Sequence, residues 1–406
     1  MPKISRRRAL TTAAGLGAMA LPLRAMAAPT TYNIAGLADF SGPFADIMKP
    51  VIAGRDAIIK WWSAEVGAGL GVALNAKNFD TRYDAAQSAS LWPGIRSELN
   101  PVCSLGVGSV DATALAERYA EAKVVSIQSG ATATNSWVPD SWVLYFRATY
   151  AHETAPFFTW VYEKEGRKAP IKVAVISSEA APAFVDMAKG IQAVAAQLGK
   201  IQVVELIWDA VQPVDLTSQV RRIVSAGAEY IVIQTNTAAV VAAKRALQAL
   251  NARIPIVTTS HNGMLASGKA VGGVGQMEGD FEVHSMVMPT DDAPQKKLYD
   301  LLKSKYGLNQ PWGVLSAQGM SQGALAVRGI EAAVRKFGPA GLGGDKIRAA
   351  MLAVPLEGRD GMLPTVTFDP SAPFPTSGLT SNVATIKGGA YTVVARDLPV
   401  PTLKKW

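Results

Sequence analysis

From Tyr32 onward, short runs of β-branched residues alternate with longer Ala-rich stretches whose apolar positions recur at helical spacing. The runs predict strands over residues 32–38, 72–79, 102–106 and 124–128, and a second series over 172–177, 203–208, 230–234 and 255–259. The Ala-rich stretches predict helices over 52–65, 112–122, 183–198, 216–226 and 238–250. Strands alternating with helices of this length argue for right-handed βαβ units and parallel sheets covered on both faces. One continuous sheet of so many units would be unusually large, so the pattern predicts an α/β chain of two similar lobes. The first series runs to about Tyr145; the second opens at His152 and closes near Gly279. Residues 281–288 read as an extended connector and 291–353 as almost wholly helical. Residues 366–395 read as extended segments with a Pro-rich loop at 370–375.

The first residues break this pattern. Ser5-Arg6-Arg7-Arg8 stands just ahead of an apolar stretch over 9–23, which ends in Ala25-Met26-Ala27, a small-x-small cleavage pattern. Residues 1–27 are therefore expected to be a secretory signal of the twin-arginine type, removed in a periplasmic mature protein. The apolar run falls short of the ~20 residues that span a bilayer, and no acidic residue precedes Asp39.

Removing residues 1–27 from the 406 leaves 379 and changes the charge argument. The leader holds five basic residues and no acidic one, so the formal charge falls from +8 to +3. The basic balance belongs to the leader, and no nucleic-acid partner is expected. Cys103 is the sole cysteine, which excludes an intramolecular disulfide. Its place in an apolar run predicts a buried, inert thiol.

Candidate chemistry is sparse. Gly319-Met320-Ser321-Gln322-Gly323 matches the nucleophile elbow, but that motif needs a strand-to-helix turn and a later histidine. Residues 317–336 read as one helix, and the three histidines (His152, His261 and His284) all precede Ser321. No nucleophile–base–acid set can be assembled, and no enzyme is expected. Scattered histidines and a single cysteine offer no metal site. Trp61-Trp62 reads as packing. Gly106-Val107-Gly108-Ser109-Val110-Asp111 follows a strand and opens a helix. Asp111 stands where a dinucleotide fingerprint has its third glycine and would repel a pyrophosphate, so no cofactor is expected. The turn still offers free N–H groups to a small anion or a carbonyl oxygen, with Ser109 or Asp111 as the alternative N-cap. Gly130-Ala131-Thr132 follows the next strand, and loops at the carboxyl ends of parallel strands form the ligand crevice.

Residues 32–46 (YNIAGLADFSGPFAD) resemble the opening strand and Ser-Gly-Pro turn of the branched-chain amino acid binding proteins of ABC transporters. Phe79-Asp80-Thr81-Arg82-Tyr83-Asp84 is similar to that family's D-x-x-x-D segment, and residues 124–136 (VVSIQSGATATNS) to its strand plus Gly-Ala-Thr loop. The resemblance implies the type I periplasmic binding fold: two Rossmann-like lobes joined by three crossover strands, with a ligand in the cleft and closure by hinge bending. The crossovers belong near 145–149, 282–288 and 363–369. The first lobe is then 28–147 plus 286–365, and the second 148–285 plus 366–406.

By the same match Ser109, Gly130 and Thr132, with Ala131 in the loop, take the positions that hold the ligand's α-carboxylate. Phe184, Asn236 and His261 fall at second-lobe ligand positions. His261 aligns with the family's acidic residue for the α-ammonium, which favours a carboxylate without an amino group, such as an aromatic or keto acid. A shift of alignment would instead leave Asp280 or Glu282 to supply the charge. The partners implied are a small-molecule ligand and an ABC permease in the inner membrane, and the receptor is expected to be a monomer. The alternatives are a sensing module of the same fold that reports to a regulator, and a receptor for amide- or urea-type solutes.

Overall fold

The computed structural model describes residues 28–130, 132–358, 361–374 and 379–406. The expected leader over 1–27 and Ala131 lie outside the described residues. Five parallel strands form the first sheet: β1 (Thr30–Ala38), β2 (Val72–Asp80), β3 (Cys103–Gly106), β4 (Val125–Gln128) and β5 (Val143–Tyr145). Their order is β2-β1-β3-β4-β5. The helices α1 (Ala45–Trp62), α2 (Ala85–Leu99) and α3 (Ser109–Ala122) make the crossovers.

After β5 the chain passes to the second sheet through α4 (Tyr150–Lys164). There it builds β6 (Ile171–Ser177), α5 (Pro182–Leu198), β7 (Ile201–Trp208), α6 (Thr217–Ser225), β8 (Tyr230–Ile233) and α7 (Thr237–Ala249). It continues through β9 (Ile256–Thr258), α8 (Met264–Ala270) and β10 (Phe281–His284). The chain then crosses back for α9 (Lys296–Lys305), α10 (Val314–Phe337) and α11 (Gly344–Ala353). It returns to the second sheet for β11 (Thr380–Lys387) and β12 (Ala390–Pro399), giving the order β12-β11-β10-β9-β8-β6-β7. Three passages thus join the two sheets.

All eight predicted strands form, with their ends moved by at most two residues. Two expectations need correction. Residues 281–284 are not a free connector: β10 pairs parallel with β9 and antiparallel with β11. The second sheet is therefore mixed, because β11 and β12 add an antiparallel edge. Gly388 and Gly389 join those strands with φ of 60° and 76°, the left-handed pair that a two-residue hairpin turn requires.

The apparent nucleophile elbow is a packing device. Gly319 and Gly323 lie on the face of α10 that meets α1. A Cβ on Gly319 would stand 1.9 Å from the Val51 carbonyl oxygen, and one on Gly323 would stand 2.9 Å from that of Arg55. Gly54 answers from the other helix, where a Cβ would fall 2.5 Å from the Ser316 oxygen. Close helix approach demands these small residues. Ser321 is buried between them and donates to the Met362 carbonyl at 2.9 Å. Trp62 is fully buried against the later turns of α10, with Nε1 3.4 Å from Glu331. Cys103 lies in the same core, where burial pushes its thiol up to about 12. No described helix is long and apolar enough to cross a membrane.

Candidate ligand-binding cleft

The carboxyl ends of strands from both sheets face each other across a small cavity of about 40 Å³. Phe44 follows β1, Tyr83 follows β2, Val107 and Ser109 follow β3, and Gly130 follows β4. From the second sheet come Ala183 and Phe184 after β6 and His261 after β9, with Tyr150 opening α4. Gln318 reaches the cavity from α10. Parallel sheets gather their loops at this end, which is why residues so far apart in sequence meet here. A wider depression of 480 Å³ lies at the crossings, lined by Arg147, Met286, Asp292 and Arg396.

The lobes are closed upon each other. Ala183 N donates to Ser109 Oγ at 3.1 Å, and Ala133 N donates to Asp186 at 3.1 Å. The rings of Phe44 and Phe184 approach to 6.2 Å. Asp39 fixes the turn that presents Phe44 by accepting from the backbone N–H groups of Gly42 and Phe44. Arg82 and Tyr83 both adopt left-handed backbone, at φ 53° and 55°. That conformation is costly for a bulky side chain. It lays the Tyr83 ring where a Cβ on Gly108 would collide at 2.5 Å, and against Phe44 with centroids 4.5 Å apart. Tyr83 shares a hydrogen bond with Ser109, and burial raises its phenol well above the ordinary value.

The start of α3 differs from expectation. Gly108 is the N-cap and no side chain caps the helix. Ser109 is the first helical residue, so its hydroxyl faces the other lobe. Asp111 turns inward, accepting from Ser88 Oγ at 2.8 Å and Thr81 Oγ1 at 3.2 Å, and burial raises its carboxyl to about 6. Neither caps, because both side chains have stronger partners elsewhere.

Of the other expected residues, Gly130, Phe184 and His261 line the cavity, and Thr132 and Asn236 stand back from it. Thr132 is buried, with its hydroxyl 3.0 Å from that of Thr134. Asn236 caps α7, accepting from Ala239 N at 3.2 Å. Sequence reasoning missed Phe44, Tyr83, Tyr150 and Gln318. Tyr83 lay inside a segment singled out for its carboxylates. Gln318 gave only a faint signal, a second glutamine four residues on at 322.

His261 is neutral. Burial, and after it the positive Arg147, pushes its imidazole down to about 4. Its Nε2 faces the carbonyl oxygens of Gln234, at 3.0 Å, and Thr235. Carbonyls only accept, so Nε2 carries the proton and Nδ1 is an acceptor, 3.4 Å from the Tyr150 hydroxyl. The two acids that an alternative alignment offers are committed elsewhere. Asp280 holds Lys244 at 2.7 Å and Ile256 N at 2.8 Å, while Glu282 accepts from Met264 N at 2.7 Å and the Tyr391 hydroxyl at 2.9 Å.

Arg147 forms a buried ion pair with Glu153, with Nε to Oε1 at 2.8 Å, and donates to Ser260 Oγ at 2.9 Å. Glu153 also accepts from Ser285 N at 3.1 Å. This pair ties two of the crossings to the turn that carries His261, and its charges are mutually satisfied. Among the described residues, no acidic or cationic side chain lines the cavity. Among the described residues, no group of three or more His, Cys, Asp or Glu could hold a metal ion.

The sequence pattern of a family described as periplasmic binding protein matches residues 31–381. No curated protein sequence matches the chain. Among solved structures, a valine-bound branched-chain amino acid ABC transporter protein from Thermus thermophilus superposes with a TM-score of 0.76 at 18% identity, covering 91% of this chain and 96% of that one. A solute-binding protein from Rhodopseudomonas palustris in complex with 4-hydroxybenzoate gives 0.72 at 19% identity, covering 91% and 98%. A fatty acid ABC transporter substrate-binding protein from Thermomonospora curvata gives 0.75 at 17%, covering 92% and 97%. At such identities these likenesses carry the fold. With the family pattern spanning both lobes and the cleft between them, the chain belongs to the periplasmic binding protein family.

Proposed function

We propose that the protein is the solute receptor of an ABC importer and that its ligand is a small carboxylate without an α-ammonium group. The observation that carries this reading is the cavity wall itself, which holds no acidic side chain and presents a neutral His261 on the second-lobe side. An ammonium group taken from water into this wall would find no carboxylate to offset its desolvation. A carboxylate has partners on the first-lobe side: the Ser109 and Tyr83 hydroxyls and the free N–H groups at the start of α3. The rings of Phe44, Tyr83, Tyr150 and Phe184 suit a flat apolar body. One of the similar structures holds 4-hydroxybenzoate and another valine, and the wall chemistry favours the first kind of ligand.

The reading extends to the cell. The leader over 1–27 would export the chain by the twin-arginine route, and hinge bending at the three crossings would present the closed form to a permease. A thermal-shift screen of amino acids, aromatic acids, keto acids and amides tests the ligand class. A ligand at ~100 times its dissociation constant adds about 2.7 kcal/mol of stability. Shifts with carboxylic acids and none with amino acids are expected; shifts confined to amino acids or to amides would reject the reading.

A further inference from the structure

Gln318 stands at the cavity on α10, and its amide orientation is determined by its partners. Nε2 lies 3.0 Å from the Ser129 carbonyl oxygen and 2.8 Å from Ser129 Oγ. A carbonyl only accepts, so the nitrogen must face Ser129 and Oε1 must point away from it. Gln318 is 4% exposed, lines the cavity, and its Oε1 has no hydrogen-bond partner among the described residues. Gln322, one turn along, clamps the same strand ends by donating to the carbonyls of Gly106 at 2.6 Å and Ile127 at 2.9 Å. Both glutamines hold the ends of β3 and β4 in place and the Oε1 of each lacks a partner among the described residues, but of the two only Gln318 lines the cavity.

Buried polar groups in folded proteins almost always find partners. Ser109 Oγ accepts from Ala183 N and shares a hydrogen bond with Tyr83, which leaves one hydroxyl proton of that pair for the ligand's carboxylate, and the Tyr150 hydroxyl faces His261. The wall therefore has an acceptor to spare and no donor directed to it. We propose that Gln318 Oε1 reads a hydrogen-bond donor on the bound solute, so that the ligand is a hydroxylated carboxylic acid rather than its unhydroxylated parent. The donor is a neutral O–H, because no acidic side chain lines the cavity to balance a charged one. This inference rests on the proposed function, with the carboxylate held from the first-lobe loops. Discrimination of this kind is large when a site's buried acceptor would otherwise stay unpaired.

The test is calorimetric titration with matched acids. The panel is benzoate against 2-, 3- and 4-hydroxybenzoate, and phenylacetate against mandelate, on the wild type and on Gln318→Leu and Gln318→Met. At least one hydroxylated acid should bind the wild type about tenfold or more tighter than its parent. In both variants that ratio should fall towards one, whatever the change in the parent acid's own affinity. The wild-type comparison stands even if a variant fails to fold, and melting curves report whether loss of the Ser129 contact has loosened the loop. A ratio near one in the wild type, or a ratio retained in folded variants, overturns the role of Gln318. Acids that bind without hydroxyl preference leave the proposed function in place. Binding of leucine or valine with none of the acids removes that function, and this inference with it.

Discussion

Two of the places where the lobes meet are built differently. In the cleft, hydroxyls, one neutral imidazole and four aromatic rings surround a cavity, and an amide oxygen in its wall lacks a partner among the described residues. At the second contact the chain fills the space itself. Trp406 lies across α5, where its Nε1 donates to Asp186 at 3.2 Å and its ring fills the space over Gly190. It meets Trp137 edge-on at 5.8 Å and His152 at 5.1 Å, while Phe374 stacks on Trp137 at 4.7 Å. Gln197 pins the tail through two hydrogen bonds with Lys404, at 3.0 Å and 2.7 Å. One contact is thus completed by the protein, and the other is left for a solute to complete. Substitutions at the aromatic cluster should act on stability, and substitutions in the cleft on affinity.

The largest expected effect is at the cluster. Trp406→Ala removes two ring contacts and the Asp186 partner, and should lower unfolding stability by about 2–3 kcal/mol, since buried Trp→Ala changes cost ~3–5 and this ring is half-buried. Urea unfolding measures it, and an unchanged midpoint would show that the tail carries no closing energy. Next is Ser109→Ala in the cleft. Loss of a hydrogen bond to a charged ligand group should weaken carboxylate binding by about ten- to a hundredfold. Melting of the ligand-free protein should fall only slightly, and a large fall with unchanged affinity would reverse the assignment.

The smallest effect concerns pH and separates the two regions again. Burial lowers both His152, in the cluster, and His261, in the cleft, to about 4. An unfolded histidine takes up its proton near ~6.5, so between that pH and about 4 the unfolded chain binds more protons and stability falls on acidification. Relative to His152→Gln, the wild type should lose about 1–2 kcal/mol between pH 7 and pH 5. Over the same range His261 stays neutral in the folded protein, so any rise in carboxylate affinity between ~pH 8 and ~pH 5.5 should come from Asp111, whose carboxyl is raised to about 6, and should be the same in His261→Gln. A rise that His261→Gln removes would mean an ordinary, protonatable imidazole in the cleft.

The same contrast marks what the sequence could disclose. The strands and helices were legible because buried parallel strands leave continuous apolar runs, and the cleft loops followed from their place after β3 and β4. The tail was not, because Lys404-Lys405-Trp406 has no periodicity and its partners are more than 200 residues away. The β11–β12 hairpin carried a local signal in Gly388-Gly389, but weakly alternating residues around it hid the pairing. In the cleft, Ser109 and His261 were legible through loops that follow strands. Tyr83 was not, because its orientation depends on two successive left-handed residues that no pattern announces. Gln318 was hidden by its helix, where the small residues needed to pack α1 mimic a catalytic motif.

The account rests on a cleft that accepts a carboxylate and excludes an ammonium. The most direct test is calorimetric competition between each of leucine, valine and phenylalanine and its deaminated 2-oxo acid, with benzoate and 4-hydroxybenzoate alongside. The account predicts that the acids without an amino group bind and that the amino acids fail to displace them. Tight binding of leucine or valine, with no response to the matching oxo acids, would contradict it.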